Sequence, residues 1–128
     1  MPRATHSEMR ERLLNRSQEL RVDIRRELAK SDHEQYAALA DRLSDPGEHA
    51  VADLLVDVDL AEITRDVEEF RDIEAALLRI AHGTYGFCVD CEDVIDTERL
   101  NSMPAASRCH SCQQVFERAR REELHRKL

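Results

Sequence analysis

A chain of 128 residues, 36% charged, 4% aromatic and without tryptophan, has the length of one domain but too little bulky apolar material for a large globular core. Its formal charge of −8 is unevenly spread. Between Asp41 and Asp66 eight acids stand against Arg42 and Arg65, which puts −6 in that stretch and excludes it as a docking arm for duplex phosphates.

No run approaches about eighteen consecutive apolar residues, and the N-terminus lacks the apolar run of a signal peptide. The expectation is a soluble, cytoplasmic protein with no membrane partner. Four cysteines in such a compartment point to metal ligation ahead of disulfides. An enzyme is not expected, because the sequence shows no nucleophile–base pair and no glycine-rich phosphate loop.

Met1 to Ser7 is polar and is expected to fray. From Glu8, the apolar positions Met9, Leu13, Leu20, Ile24 and Leu28 recur at helical spacing with Arg and Glu between them. The stripe lapses between Lys30 and Gln35, where Ser31 and Glu34 have capping-box spacing. Tyr36, Leu39 and Leu43 resume it without Gly or Pro, so one continuous helix is expected to reach Leu43.

The stretch 44–50 holds Asp45, Pro46, Gly47, Glu48, His49 and Ala50. Proline stops the arriving helix. Asp45 as N-cap, Pro46 at the first helical position and Glu48 at the capping-box position start the next one.

A second stripe follows through Val51, Leu54, Val58, Ile63, Val67, Phe70, Ile73, Leu77 and Ile80. Leu39 with Leu54, Leu28 with Ile63, Ile24 with Val67, Leu20 with Phe70 and Leu13 with Leu77 mirror one another about the turn. That is the pattern of an antiparallel coiled-coil hairpin, with arms of roughly 55 Å at ~1.5 Å per residue. Two readings fit it: a plain coiled coil with a solvated surface, or an arm that presents its acidic tip to a partner. The concentration of acid at one end favours presentation. His33, His49 and His82 read as surface residues.

Gly83 suits the cap that ends the second helix, and Tyr85 and Phe87 read as packing residues that join the rod to the next module. Cys88-x-x-Cys91 and Cys109-x-x-Cys112, with seventeen residues between the pairs, have the spacing of a tetrahedral four-cysteine zinc site. Four thiolates fill the coordination sphere, so one structural Zn2+ is expected. The competing reading is thiol redox chemistry, since a C-x-x-C pair can have a lowered pKa. Ile95, Leu100 and Pro104 read as small-core and turn residues. From Gln113 to Leu128 the chain favours helix, with Arg118, Arg120, Arg121, Arg126 and Lys127 outnumbering Glu117, Glu122 and Glu123.

The expected fold is mainly α: a long antiparallel two-helix coiled-coil hairpin, a small four-cysteine zinc-finger module and a C-terminal helix. The boundary falls between 1–82, with the tip at 44–50, and 83–128.

Gly83-Thr84-Tyr85-Gly86-Phe87-Cys88, Arg99-Leu100, Pro104 and Cys109-x-x-Cys112-Gln113 resemble the DksA/TraR family of bacterial zinc-finger transcription factors. At the tip, Asp45-Pro46-Gly47-Glu48-His49-Ala50 resembles that family's Asp-x-x-Asp-x-Ala motif. The resemblance runs from about Ser7 to Gln114. It implies a monomer that binds RNA polymerase rather than promoter DNA. The coiled coil would enter the secondary channel and set Asp45, Glu48 and Ala50 near the catalytic centre, altering open-complex stability.

Three departures stand out. Glu48 replaces the second tip aspartate, and Glu92 follows the first knuckle where glycine is usual. Family members that respond to guanosine tetraphosphate carry basic residues where this chain has Asp72, Met103 and Gln113, so that nucleotide is not expected to bind here in the usual way. Outside the family, the features also fit a zinc-ribbon nucleic-acid binder or a zinc- or redox-sensing protein.

Overall fold

A computed structural model describes residues 3–30, 34–43 and 61–126. Five helices lie within them: α1 (Arg3–Ala29), α2 (Glu34–Leu43), α3 (Ala61–His82), α4 (Thr97–Ser102) and α5 (His110–Arg126). The protein is mainly α, as its apolar periodicity predicts. Among the described residues the β-structure is a single bridge, Phe87 to Val94.

The α1 stripe is buried at every predicted position, Met9, Leu13, Leu20, Ile24 and Leu28. It packs along α3, where Ile63, Val67, Phe70 and Ile73 are buried in turn. Two contacts fix the antiparallel sense. His6, near the start of α1, meets Tyr85 just beyond α3 with an edge-to-face ring separation of 5.4 Å. Arg16, further along α1, donates to Glu69 in the body of α3 through Nε at 2.7 Å and a terminal nitrogen at 3.0 Å. Those bonds hold the Glu69 carboxyl below its ordinary value. The stabilisation is therefore present above the ordinary glutamate pKa and lost as pH falls through the depressed one. Both side chains are more than one-third exposed, which keeps the pair's contribution small.

Two expectations for the first helix are corrected. Residues 3–7 belong to α1, and His6 against Tyr85 gives that end a tertiary anchor that the polar sequence does not advertise. The expected continuity to Leu43 also fails. α1 ends at Ala29, and the Lys30 N–H turns back to the Glu27 carbonyl at 3.3 Å. α2 then packs against α1, with Ala40 and Leu43 buried in the common core. A helix running straight on would carry Leu43 ~20 Å beyond the end of α1 at ~1.5 Å per residue. α1 and α2 are therefore not parts of one straight helix. The physical reason is that the lapse in the stripe leaves 30–35 with nothing apolar to bury, so helix continuation gains little there.

The far end of α3 closes as predicted. Gly83 takes a φ of +77°. The Thr84 N–H reaches the Arg79 carbonyl at 2.9 Å and the Gly83 N–H reaches Ile80 at 3.3 Å. That is the paired closure of a Schellman cap, and only glycine adopts its left-handed position without strain.

The core does not stop at this cap. Tyr85, Cys88, Ile95, Leu100 and Ala106 continue the buried cluster into the cysteine module. Three long-range bonds cross the same boundary or brace it. Tyr85 Oη donates to the Pro104 carbonyl at 2.8 Å, Arg12 to the Asn101 carbonyl at 2.9 Å and Arg79 to the Ala105 carbonyl at 3.4 Å. Phe87 departs from its predicted role: Tyr85 is buried, but Phe87 remains 47% exposed beside Val94.

Asp45, Glu48, Ala50, His33, His49 and the first part of the second stripe lie outside the described residues. His82 is exposed on α3.

Candidate metal centre

The first cysteine pair sits in a two-sided turn. Cys88 N–H donates to the Asp93 carbonyl at 2.7 Å and Ile95 N–H to the Gly86 carbonyl at 2.8 Å, closing the loop around residues 88–93. At its tip the Cys91 N–H points at Cys88 Sγ, 3.5 Å away. The second pair repeats the geometry at the start of α5, where the Cys112 N–H approaches Cys109 Sγ at 3.5 Å. In both knuckles the residue after the second cysteine bonds back to the first: Glu92 N–H to the Cys88 carbonyl at 3.0 Å, and Gln113 N–H to the Cys109 carbonyl at 2.9 Å.

The loop between the pairs returns the chain so that the knuckles meet. Asp96 caps α4 by accepting from the Glu98 N–H, Leu100 is buried, and Arg99 Nε donates to the Arg108 carbonyl at 3.0 Å. The Val89 N–H bonds the Ser107 carbonyl at 2.9 Å. Arg108 ties the second knuckle to the first through Asp90 at 2.7 Å and lies over the Phe116 ring at 4.0 Å. Sequence reasoning missed this residue. Its role depends on the two knuckles having already met, and nothing in local spacing signals it.

The four sulfurs all lie within 4.8 Å of one another, and Cys91 Sγ is 3.9 Å from Cys109 Sγ. A tetrahedral zinc with Zn–S of ~2.3 Å requires sulfurs about 3.8 Å apart, so the donor set fits the ion. The protonation energetics fit as well. Burial pushes the Cys88 thiol up, but the backbone N–H groups around its sulfur outweigh this and leave it at about 6. Cys112, hydrogen-bonded first to the Cys109 sulfur and then to Cys88, is pushed up to about 12. Crowded thiols oppose one another's ionisation, and a dication at the centre of the cluster favours the thiolate form. Metal uptake displaces thiol protons and therefore weakens as pH falls.

Glu92 carries a positive φ of 67°, the left-handed conformation for which glycine is suited. An L side chain there costs ~1–2 kcal/mol, part of which glycine's larger unfolded-state entropy would return. Glu92→Gly is expected to stabilise the metal-loaded protein by about 1 kcal/mol, read as a higher thermal midpoint. An unchanged or lower midpoint contradicts it.

Asp72, Met103 and Gln113 occur on α3, just after α4 and near the start of α5. Desolvation raises the Asp72 carboxyl and Glu68 adds to this, while Arg79, Arg108 and Arg120 pull it back. Met103 is exposed, and Gln113 donates its side-chain amide to Glu117 at 3.1 Å.

Paired antiparallel helices that lead through a glycine cap into two facing cysteine knuckles define a helical C4-type zinc-finger protein. The family model described as the prokaryotic dksA/traR C4-type zinc finger matches residues 83–118, spanning all four cysteines. Over 117 residues, covering 91% of this chain and 72% of the relative, the sequence is 30% identical to the RNA polymerase-binding transcription factor DksA of Caulobacter vibrioides, in each of two strains.

Among solved structures, transcription factor DksA2 from Pseudomonas aeruginosa is similar with a TM-score of 0.58 and 25% identity, over 92% of this chain and 87% of that one. The solution structure of DnaK suppressor protein from Agrobacterium tumefaciens C58 gives 0.57 and 28%, over 85% and 91%. The chain belongs to the DksA/TraR family, and zinc is the metal of its four-cysteine site.

Proposed function

We propose that this protein binds bacterial RNA polymerase and regulates transcription without recognising promoter sequence. The observation that carries the reading is its 30% identity, across 91% of the chain, to a relative named as an RNA polymerase-binding transcription factor. The antiparallel α1–α3 pair supports it, because such a pair can deliver a tip far from the module that anchors it.

In this reading Cys88, Cys91, Cys109 and Cys112 hold one structural zinc. Four thiolates leave no open position for a catalytic water, and the protein acts as a regulator, not an enzyme. The hairpin enters the secondary channel of the polymerase as a monomer in the cytoplasm. Asp45, Glu48 and Ala50 form the partner-binding tip near the catalytic centre, where their contacts alter open-complex stability. Guanosine tetraphosphate does not act through the usual basic pocket, because Asp72, Met103 and Gln113 offer it no cation.

The test is in vitro transcription with purified polymerase and the zinc-loaded protein. Asp45→Asn and Glu48→Gln are each expected to remove most of the effect on open-complex lifetime while leaving folding and polymerase binding intact. Normal regulation by both variants removes the tip from the mechanism. The same assay with the nucleotide present is expected to show no added effect.

A further inference from the structure

The C-terminal helix has one side held to the protein and one side that no described residue holds. No α5 residue is buried. Its inner side is fixed at three points: Cys112 in the cysteine cluster, Phe116 beneath the Arg108 guanidinium at 4.0 Å, and Arg120 at 3.7 Å from Glu68 on α3. Gln114, Arg118, Arg121 and His125 are spaced four, three and four residues apart. At 3.6 residues per turn they form a stripe on the side opposite Phe116 and Arg120. Arg118, Arg121, His125 and Arg126 line an open groove with one acid, Glu122, among them. Arg118, Arg121 and Arg126 make no ion pair or hydrogen bond with another described residue.

We propose that this stripe binds the phosphodiester backbone of nucleic acid without reading base sequence. The composition of the face selects this partner over an acidic protein surface. Protein interfaces are built around an apolar core, whereas Val115 and Leu124 fall on opposite flanks of the stripe and leave it made of hydrogen-bond donors. Arginine presents a planar fork matched to phosphate oxygens. The guanidinium groups at 118 and 121 and the imidazole donor at 125 climb the helix by ~4.5 and ~6 Å, steps comparable to the distance between neighbouring phosphates. The acid-rich stretch between Asp41 and Asp66 opposes the association, so the interaction is weak and confined to low salt. It goes beyond the polymerase reading and stands independently of it.

The experiment uses the full-length, zinc-loaded protein and a fluorescein-labelled duplex of random sequence, followed by anisotropy from about 20 to about 150 mM salt. Phosphate contacts by Arg118, Arg121 and the groove-lining Arg126 predict a log–log salt slope of about −2.7, at ~0.9 per contact. Arg118→Ala combined with Arg121→Ala is expected to take about two from that slope and weaken binding about tenfold at low salt. Zinc content and helicity, measured on the same samples, should not change. No anisotropy change at about 20 mM salt overturns the proposal, as does a double variant that binds like the parent. Loss of polymerase binding by the double variant, with no DNA binding by the parent, assigns the face to an acidic protein surface and equally overturns it.

Discussion

Cys88→Ser will leave the protein without its zinc and collapse the module around it. Cys88 is the deepest of the four ligands proposed here, and its sulfur faces the backbone N–H of Cys91 inside the first knuckle. A serine hydroxyl in its place is a much poorer zinc ligand and leaves three sulfurs to hold the ion. Structural zinc sites of this kind have apparent binding energies of ~10–16 kcal/mol that are at the same time folding energy. The module has little else to fall back on, since among its described residues Tyr85, Ile95, Leu100 and Ala106 form the buried apolar content beyond the cysteine. Metal analysis should find one zinc per chain in the parent and almost none in the variant. The variant should also lose protection of the Cys88, Glu92 and Ile95 amides, whose bonds to the Asp93, Cys88 and Gly86 carbonyls define the first knuckle. Full zinc retention with an unchanged fold contradicts the assignment.

Phe70→Ala is expected to cost ~3–5 kcal/mol, the largest effect of any apolar truncation on α3. Phe70 is 2% exposed and fills the seam between α1 and α3. A two-helix seam has only one layer of side chains, so the void cannot be closed by a second shell moving inward. Against a total stability of ~5–15 kcal/mol, the loss should shift the chemical-denaturation midpoint severely. Leu78 on the same helix is 60% exposed, and Leu78→Ala should stay within about 0.5 kcal/mol of the parent. Equal effects at the two positions contradict the observed burial pattern.

The sequence made the rod legible because burial on a helix repeats with the helix. The stripes through Met9 to Leu28 and Ile63 to Ile73 are the positions that the fold buries. The cysteine spacing located the metal site for a similar reason: two short knuckles and a return loop leave few alternatives. Small buried residues escaped notice. Ala40, Ala76 and Ala106 lie in the core, yet alanine is equally at home on a helix surface. The interruption after Ala29 was visible as a lapse in the stripe and as the Ser31–Glu34 spacing, but a lapse alone does not say whether a helix bends or turns. Phe87 was misread because aromatic character suggests burial, whereas the bridge to Val94 leaves its ring half outside. Arg108, which joins Asp90 to Phe116, is a product of tertiary geometry and has no sequence signature.

The central claim is association with RNA polymerase through a zinc-stabilised helical hairpin. Size-exclusion chromatography of the zinc-loaded protein with purified core polymerase at micromolar concentration tests it most directly. The expected result is co-elution at one protein per polymerase, retained in Asp45→Asn and lost in Cys88→Ser. Separate elution of the intact, zinc-loaded protein from the polymerase contradicts the account.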